Sequence, residues 1–230
     1  MILRSHTCDA SGARPRATAT ALAIAIIIVA AALSADAHAQ PPPTPPVLLV
    51  ATPDLSDPIF QQVVILLLPD NKSPLLAGVI INQPTTIPVK TLLPDAPARL
   101  GDVVAYFGGP VEMNDPIVVA RMANAPAGAT AISGDLSWID DRAAVAAFLK
   151  GNPAPSTVRI YYGRAQWLPI QLRGEIQSGA WYVEPMDADA VFSTEPRKLW
   201  RAMVERGQLE ETMVPHAGDG TPGALAALIR

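Results

Sequence analysis

Residues 63–68 read Val-Val-Ile-Leu-Leu-Leu, and this run limits the fold more than any other part of the chain. Six apolar residues in a row, closed by Pro69 and by polar residues Asp70, Asn71 and Lys72, are too few for a buried helix and show no polar–apolar alternation. Successive side chains of a strand point to opposite faces, so a strand of this composition must be covered on both. The chain therefore has to supply layers on two sides of a sheet.

The flanking sequence offers the material. Val47–Thr52 is a short apolar run before Pro53 and reads as a strand, and Leu75–Asn82 reads as the strand returning from 63–68, with Pro69–Pro74 as the turn of a hairpin. Gly78 inside the returning strand marks a bulge or a close approach. Gln83–Pro88 reads as a loop and Val89–Leu93 as a single helical turn. Further strands are expected at Val103–Phe107, Ile117–Met122, Ala129–Ser133, Val158–Tyr162 and Ala180–Val183. Helices are expected from Asp141 to Lys150, capped by Asp140 and stopped by Gly151, and from Trp167 to Gln177, with Leu168, Leu172 and Ile176 as its buried stripe. A last helix runs from Pro196 to Arg206, with Leu199, Trp200 and Met203 inward; residues 207–230 read as a tail with a short helix at Gly223–Ile229. Hairpins first and β–α alternation later give an α+β domain with a mixed sheet.

The first 39 residues are read as an address. Arg4, Arg14 and Arg16 precede an apolar run from Ala21 to Leu33, and Ala37-His38-Ala39 places small residues where a signal peptidase reads them. Cleavage is expected after Ala39, which sends residues 40–230 to the periplasm or outside the cell. The alternative is a single N-terminal membrane anchor, since Ala17–Ala35 is nearly uncharged over 19 residues. Residues 40–46 are proline-rich and read as a stiff linker to a domain at 47–206.

This division bounds the chemistry. Beyond residue 39 the chain keeps 14 Lys and Arg against 19 Asp and Glu, a net charge of −5, and no basic stripe of the kind nucleic acid selects. The one cysteine, Cys8, and two of the three histidines, His6 and His38, fall in the signal, leaving His216 in the tail. That set does not build a zinc site or a Ser–His–Asp triad. No cofactor and no metal are expected. Asp140-Asp141 and Asp187-x-Asp189 look like paired acids, but both stand where helices start, and capping explains them better than catalysis.

The order of short motifs points to a family. Thr52-Pro53-Asp54-Leu55-Ser56-Asp57-Pro58-Ile59-Phe60, then Gly78-Val79-Ile80-Ile81-Asn82-Gln83-Pro84-Thr85, then Gly108-Gly109-Pro110-Val111, then Gly163, Trp167, Gln171-Leu172, Glu175-Ile176, Trp181 and Pro185, succeed one another over about residues 47–206. Together they resemble the YqgE/AlgH family. The resemblance implies a single compact α+β domain with a mixed, partly barrel-like sheet flanked by a few helices. It brings no catalytic residues, and members are often labelled transcriptional regulators. Gln83 stands where an arginine is usual, and Leu168-Pro169-Ile170 replaces a glycine-containing turn.

The residues favoured for ligand or partner binding are Asn82, Gly108, Gly109, Trp167, Gln171 and Glu175. On one continuous helix Trp167, Gln171 and Glu175 would share a face. Asn82 and the Gly108-Gly109 turn would form the other wall of a groove. The competing roles are structural: Asn82 holding the Pro84-Thr85 loop, Gly-Gly-Pro ending a strand, and Gln171 and Glu175 fastening loops. The function expected is a non-catalytic binding or interaction module for a protein or small ligand of the cell envelope. The alternatives are a hydrolase using carboxylates and a transcriptional regulator. The partner is not nucleic acid, and it is membrane only if the signal stays uncleaved. N-terminal sequencing of protein from the native periplasm or medium is expected to start at or near Gln40; full-length chain in the soluble cytoplasm would refute the address.

Overall fold

A computed structural model describes residues 45–69, 73–122 and 124–213. The expected signal at 1–39, most of the expected linker, residues 70–72 of the expected turn, His216 and the helix expected at Gly223–Ile229 lie outside the described residues. The strands are β1 (Val47–Ala51), β2 (Val64–Leu68), β3 (Leu76–Ile80), β4 (Pro84–Pro88), β5 (Val104–Phe107), β6 (Val111–Arg121), β7 (Thr130–Ser133), β8 (Leu136–Ile139), β9 (Val158–Trp167) and β10 (Trp181–Pro185). The α-helices are α1 (Val89–Leu92), α2 (Arg142–Lys150), α3 (Pro169–Gln177), α4 (Ala188–Val191) and α5 (Pro196–Met213). The strands join in the order β10-β1-β2-β3-β9-β6-β8-β7, with β5 also on β9 and β4 on β5. Every pairing is antiparallel except β5 with β9. The result is a curled, half-barrel sheet in a single α+β domain.

All five residues of β2 are buried, as the apolar run demands. Val64, Leu66 and Leu68 enter one core that continues through Val119, Trp138 and Tyr161 and is closed by Val191, Met203 and Val204. Ile65 and Leu67 point to the other face, where they meet Ala165, Trp167, Leu172 and Trp181. A separate core on that second face packs Val118, Ile139 and Ile160 against Val89, Val145 and Leu149. One face of the sheet thus carries α4 and α5, and the other is shared between α3 and the α1–α2 layer.

Strand β9 is the spine. Its first half pairs with β6 on one edge; on the other edge β5 pairs at Tyr161 and Tyr162, and β3 takes over from Ala165 to Trp167. The chain leaves β5 at Phe107, opposite Tyr162, and enters β6 at Val111, opposite Arg164 on the far edge. Residues 108–110 therefore cross over β9 at Gly163, backbone on backbone. A Cβ on Gly163 (φ +73°) would stand 2.1 Å from the Gly109 oxygen, one on Gly108 2.2 Å from the Gly163 oxygen, and one on Gly109 2.3 Å from the Arg164 carbonyl carbon. No side chain fits that gap.

Several elements depart from the sequence expectation. The loop expected at Gln83–Pro88 is instead a strand, β4, over Pro84–Pro88; it pairs only with β5, and an edge strand tolerates prolines because its outer side needs no N–H. β8 has no counterpart in the sequence expectation. β9 runs to Trp167, so Trp167 is a strand residue, and α3 begins only at Pro169, whose fixed φ suits the first helical position. Leu168 consequently leaves the expected buried stripe and is 55% exposed, while Leu172 stays buried. Asp141, not Asp140, caps α2 by accepting from the Ala144 N–H at 2.8 Å. The last helix continues past Arg206 to Met213.

Gly163→Ala is expected to cost more than about 3 kcal/mol in urea unfolding, through positive φ and direct backbone clash. Gly174→Ala, in open space within α3, is expected to stabilise by about 0.5–1 kcal/mol. A Gly163→Ala protein of unchanged stability would contradict the crossing.

Candidate functional site

The turn that ends α3 assembles the first cluster. The Ala180 N–H reaches the Glu175 carbonyl and the Gly179 N–H that of Ile176, with Gly179 at φ +80°, a Schellman arrangement. It sets β10 directly beside the helix. The Glu175 carboxylate then accepts from the Trp167 indole (3.0 Å), the Trp181 indole (2.9 Å) and the Gln171 amide (3.0 Å). The two indole rings meet edge to face at 6.2 Å, and Phe60 lies against both. Trp167, Gln171 and Glu175 are thus brought together, but by a strand meeting a helix rather than by a shared helical face.

Phe60 belongs to the loop between β1 and β2, which is tied at both ends. Thr52 donates through Oγ1 to the Gly179 carbonyl at 2.8 Å and through its N–H to that of Ala180. The Asp57 carboxylate accepts from the Ile59 and Phe60 N–H groups. At the far end Asn82, buried, donates to the Gln62 carbonyl (2.9 Å) and accepts from the Val64 N–H (2.8 Å). Asn82 therefore fastens the entry to β2, not the Pro84-Thr85 loop. Gly108 gives its N–H to the Tyr162 carbonyl and its oxygen to the Ile80 N–H. The side-chain polar groups of Asn82 and the N–H and carbonyl of Gly108 are engaged within the protein, and Gly109 faces the backbone of Arg164 and Ala165.

The crossing positions a second cluster that sequence reasoning missed. Arg164, only 8% exposed, comes directly after Gly163; its Nε lies 2.8 Å from Glu112 Oε2 in an ion contact, and its Nη1 lies 3.5 Å from Asp140. Residues 112–115 leave the β6–β9 ladder between Val111 and Pro116, with Glu112 at φ +52°. Arg142, at the start of α2, holds the other end of this arch through the Asn114 carbonyl and Asp115. Met113 is carried outward, 56% exposed. Beneath lies Tyr162, whose hydroxyl is buried without a hydrogen-bond partner; burial pushes it up to about 12, against a smaller pull down from Arg142. An arginine in a strand of mixed polarity resembles a solvated position, which is why Arg164 gives no signal in the sequence. The glycine after Tyr162 is the available clue, legible there only as part of a motif.

These fixtures coincide with the ordered motifs, and the comparisons with known proteins agree. The family model DUF179, described as AlgH-like, matches residues 48–211. The chain belongs to the AlgH-like family. A UPF0301 protein of Streptomyces coelicolor is 36% identical over 174 residues, covering 73% of this chain and 88% of the relative. One from Thioalkalivibrio sulfidiphilus is 30% identical over 162 residues, covering 69% and 86%. Among solved structures, the AlgH protein of Pseudomonas aeruginosa superposes with a TM-score of 0.58 at 24% identity, covering 82% of this chain and all of that one. A Corynebacterium diphtheriae protein gives 0.59 at 24%, covering 71% and 87%. Both show the AlgH-like fold; the family's names assign no activity.

Glu175 separates fastening from binding. Glu175→Ala leaves two indole N–H groups without their acceptor and is expected to cost about 2–4 kcal/mol, whereas Gln171→Ala, at an exposed end of the network, costs under about 1 kcal/mol. Chemical denaturation followed by tryptophan fluorescence measures both. A Glu175→Ala cost within about 0.5 kcal/mol of zero would show that the carboxylate is not structural.

Proposed function

We propose that the chain is an exported, non-catalytic interaction module of the cell envelope and that the arch at residues 112–115 is its contact surface. The observation that carries this is the strained, doubly pinned backbone of the arch. A non-glycine residue held at positive φ costs on the order of 1–3 kcal/mol, and such strain concentrates where a protein binds. Arg164 and Arg142 hold the two ends, so Met113 is offered in a fixed position between Glu112 and Asp115. The pinned backbone loses little conformational freedom on binding, and the flexible Met113 side chain adapts its apolar surface to a partner between groups that give orientation. Export rests on the Arg4–Ala39 pattern.

The aromatic–carboxylate cluster supports the same reading in a different way. Trp167, Gln171, Glu175 and Asn82 fix the β1–β2 loop, and that loop presents Asp54 and Ser56 to solvent. These residues then serve binding by positioning a surface.

A photo-crosslinking residue placed at position 113 is expected to yield a discrete adduct in the intact native envelope, and one at the exposed Ala131 of β7 is not. Equal labelling at both positions, or none at 113, would remove the arch from the proposal.

A further inference from the structure

The chain carries six methionines, and the fold treats them unequally. Met122 and Met203 are buried, 9% and 5% exposed, and Met186 is partly buried against the core that α4 and α5 close. Of the methionines whose side chains the structure describes, Met113 alone is exposed. A thioether does not titrate, so an oxidant's choice among methionines follows access to the sulfur. Cys8 is the one cysteine, so no thiol beyond that residue consumes an oxidant first.

The arch also holds its shape without the Met113 side chain. Arg164 grips Glu112, and Arg142 grips the Asn114 carbonyl and Asp115. Each of these contacts goes to a residue beside Met113, so a polar atom added to its sulfur disturbs none of them. The same atom on Met122 or Met203 would enter a packed core and displace apolar neighbours. The acids at 112 and 115 flank the sulfur closely in sequence. They repel an anionic oxidant, whereas hydrogen peroxide is neutral and passes them.

We propose that Met113 is a reversible oxidation site, through which peroxide switches the arch from an apolar to a polar contact. Hydrogen peroxide transfers one oxygen to the sulfur. The O–O bond breaks, an S–O bond forms, the thioether gives up two electrons, and the remaining oxygen leaves as water with both hydrogens. The product is a sulfoxide, which is polar and a good hydrogen-bond acceptor where the thioether was apolar and a weak one. An exposed sulfur is open to attack at either lone pair, so both sulfoxide epimers form, and methionine sulfoxide reductases of both stereospecificities are needed for full reversal. A partner surface shaped for an apolar side chain then has to bury an oxygen for which it holds no donor. This loss of contact rests on the reading of the arch as a contact surface; the selective oxidation of Met113 does not.

The test has two arms. In the first, the full chain is treated with hydrogen peroxide and each methionine is followed by peptide mass spectrometry. Met113 is expected to oxidise at least about tenfold faster than Met122 and Met203 and faster than Met186. The melting temperature of the protein oxidised at Met113 is expected to stay within about 2 °C of the untreated one. Equal rates, or a larger fall in melting temperature that Met113→Leu prevents, would overturn the site. In the second arm a photo-crosslinking residue stands at position 114, whose carbonyl rather than side chain meets Arg142. Its adduct in the native envelope is expected to fall at least about tenfold after peroxide, to return with the two reductases, and to survive peroxide in Met113→Leu. An adduct that peroxide leaves unchanged would overturn the switch. Absence of any adduct before peroxide would instead refute the arch as a contact surface, and the switch with it.

Discussion

The structure depends on one steric event, the passage of residues 108–110 over β9 at Gly163. Backbones approach there within distances that exclude any Cβ, from either side. The passage lets β9 serve β5 on one edge and β6 on the other with three residues between them. Without it, β5 and β6 could not flank the same two tyrosines, and the sheet would divide into separate hairpins. It also fixes the rest of β9. Arg164 emerges from the crossing already buried, facing Glu112 and Asp140, and Ala165–Trp167 is handed to β3.

The second constraint is the burial of both faces of the sheet. β1, β2 and β3 have no solvated side, so each side chain has to find a layer. On one face α4 and α5 serve the whole width. On the other, α3 covers only the half near β10, and its attachment is largely polar: a single carboxylate receives both indoles. Charge-assisted hydrogen bonds at a partly buried carboxylate exceed neutral ones by roughly a factor of two, and they are directional. The cluster therefore sets the angle of α3 to the sheet as well as its stability, and through Phe60 it sets the course of the β1–β2 loop.

Much of the candidate site is legible in the sequence as residue identity and little of it as geometry. Trp167, Gln171 and Glu175 do converge, yet the helical face that their spacing suggests does not exist, because Pro169 starts the helix two residues after Trp167. Asn82 makes the local hydrogen bonds expected of it, but to a different segment. Gly108 and Gly109 form a turn; their need for glycine comes from Gly163, more than fifty residues away. Arg164 carries no sequence signal, since a strand of mixed polarity shows neither which face is covered nor by what. Similarly β4, bounded by prolines, and β8, only four residues long, have local signals weaker than the pairing partners that stabilise them.

The sequence by itself determined that a strand at 63–68 must be buried on both faces, that the domain is α+β, and that its ordered motifs place it in a family. Those properties come from local composition and periodicity, which act over a few residues. Only the tertiary structure decided that the three glycines form one crossing, that two tryptophans share one carboxylate, and that Arg164 lies buried between Glu112 and Asp140. Each of these depends on two segments distant in the chain meeting at atomic range. Sterics and hydrogen-bond satisfaction are settled by which atoms end up adjacent, and adjacency across the sheet is not encoded in any single stretch.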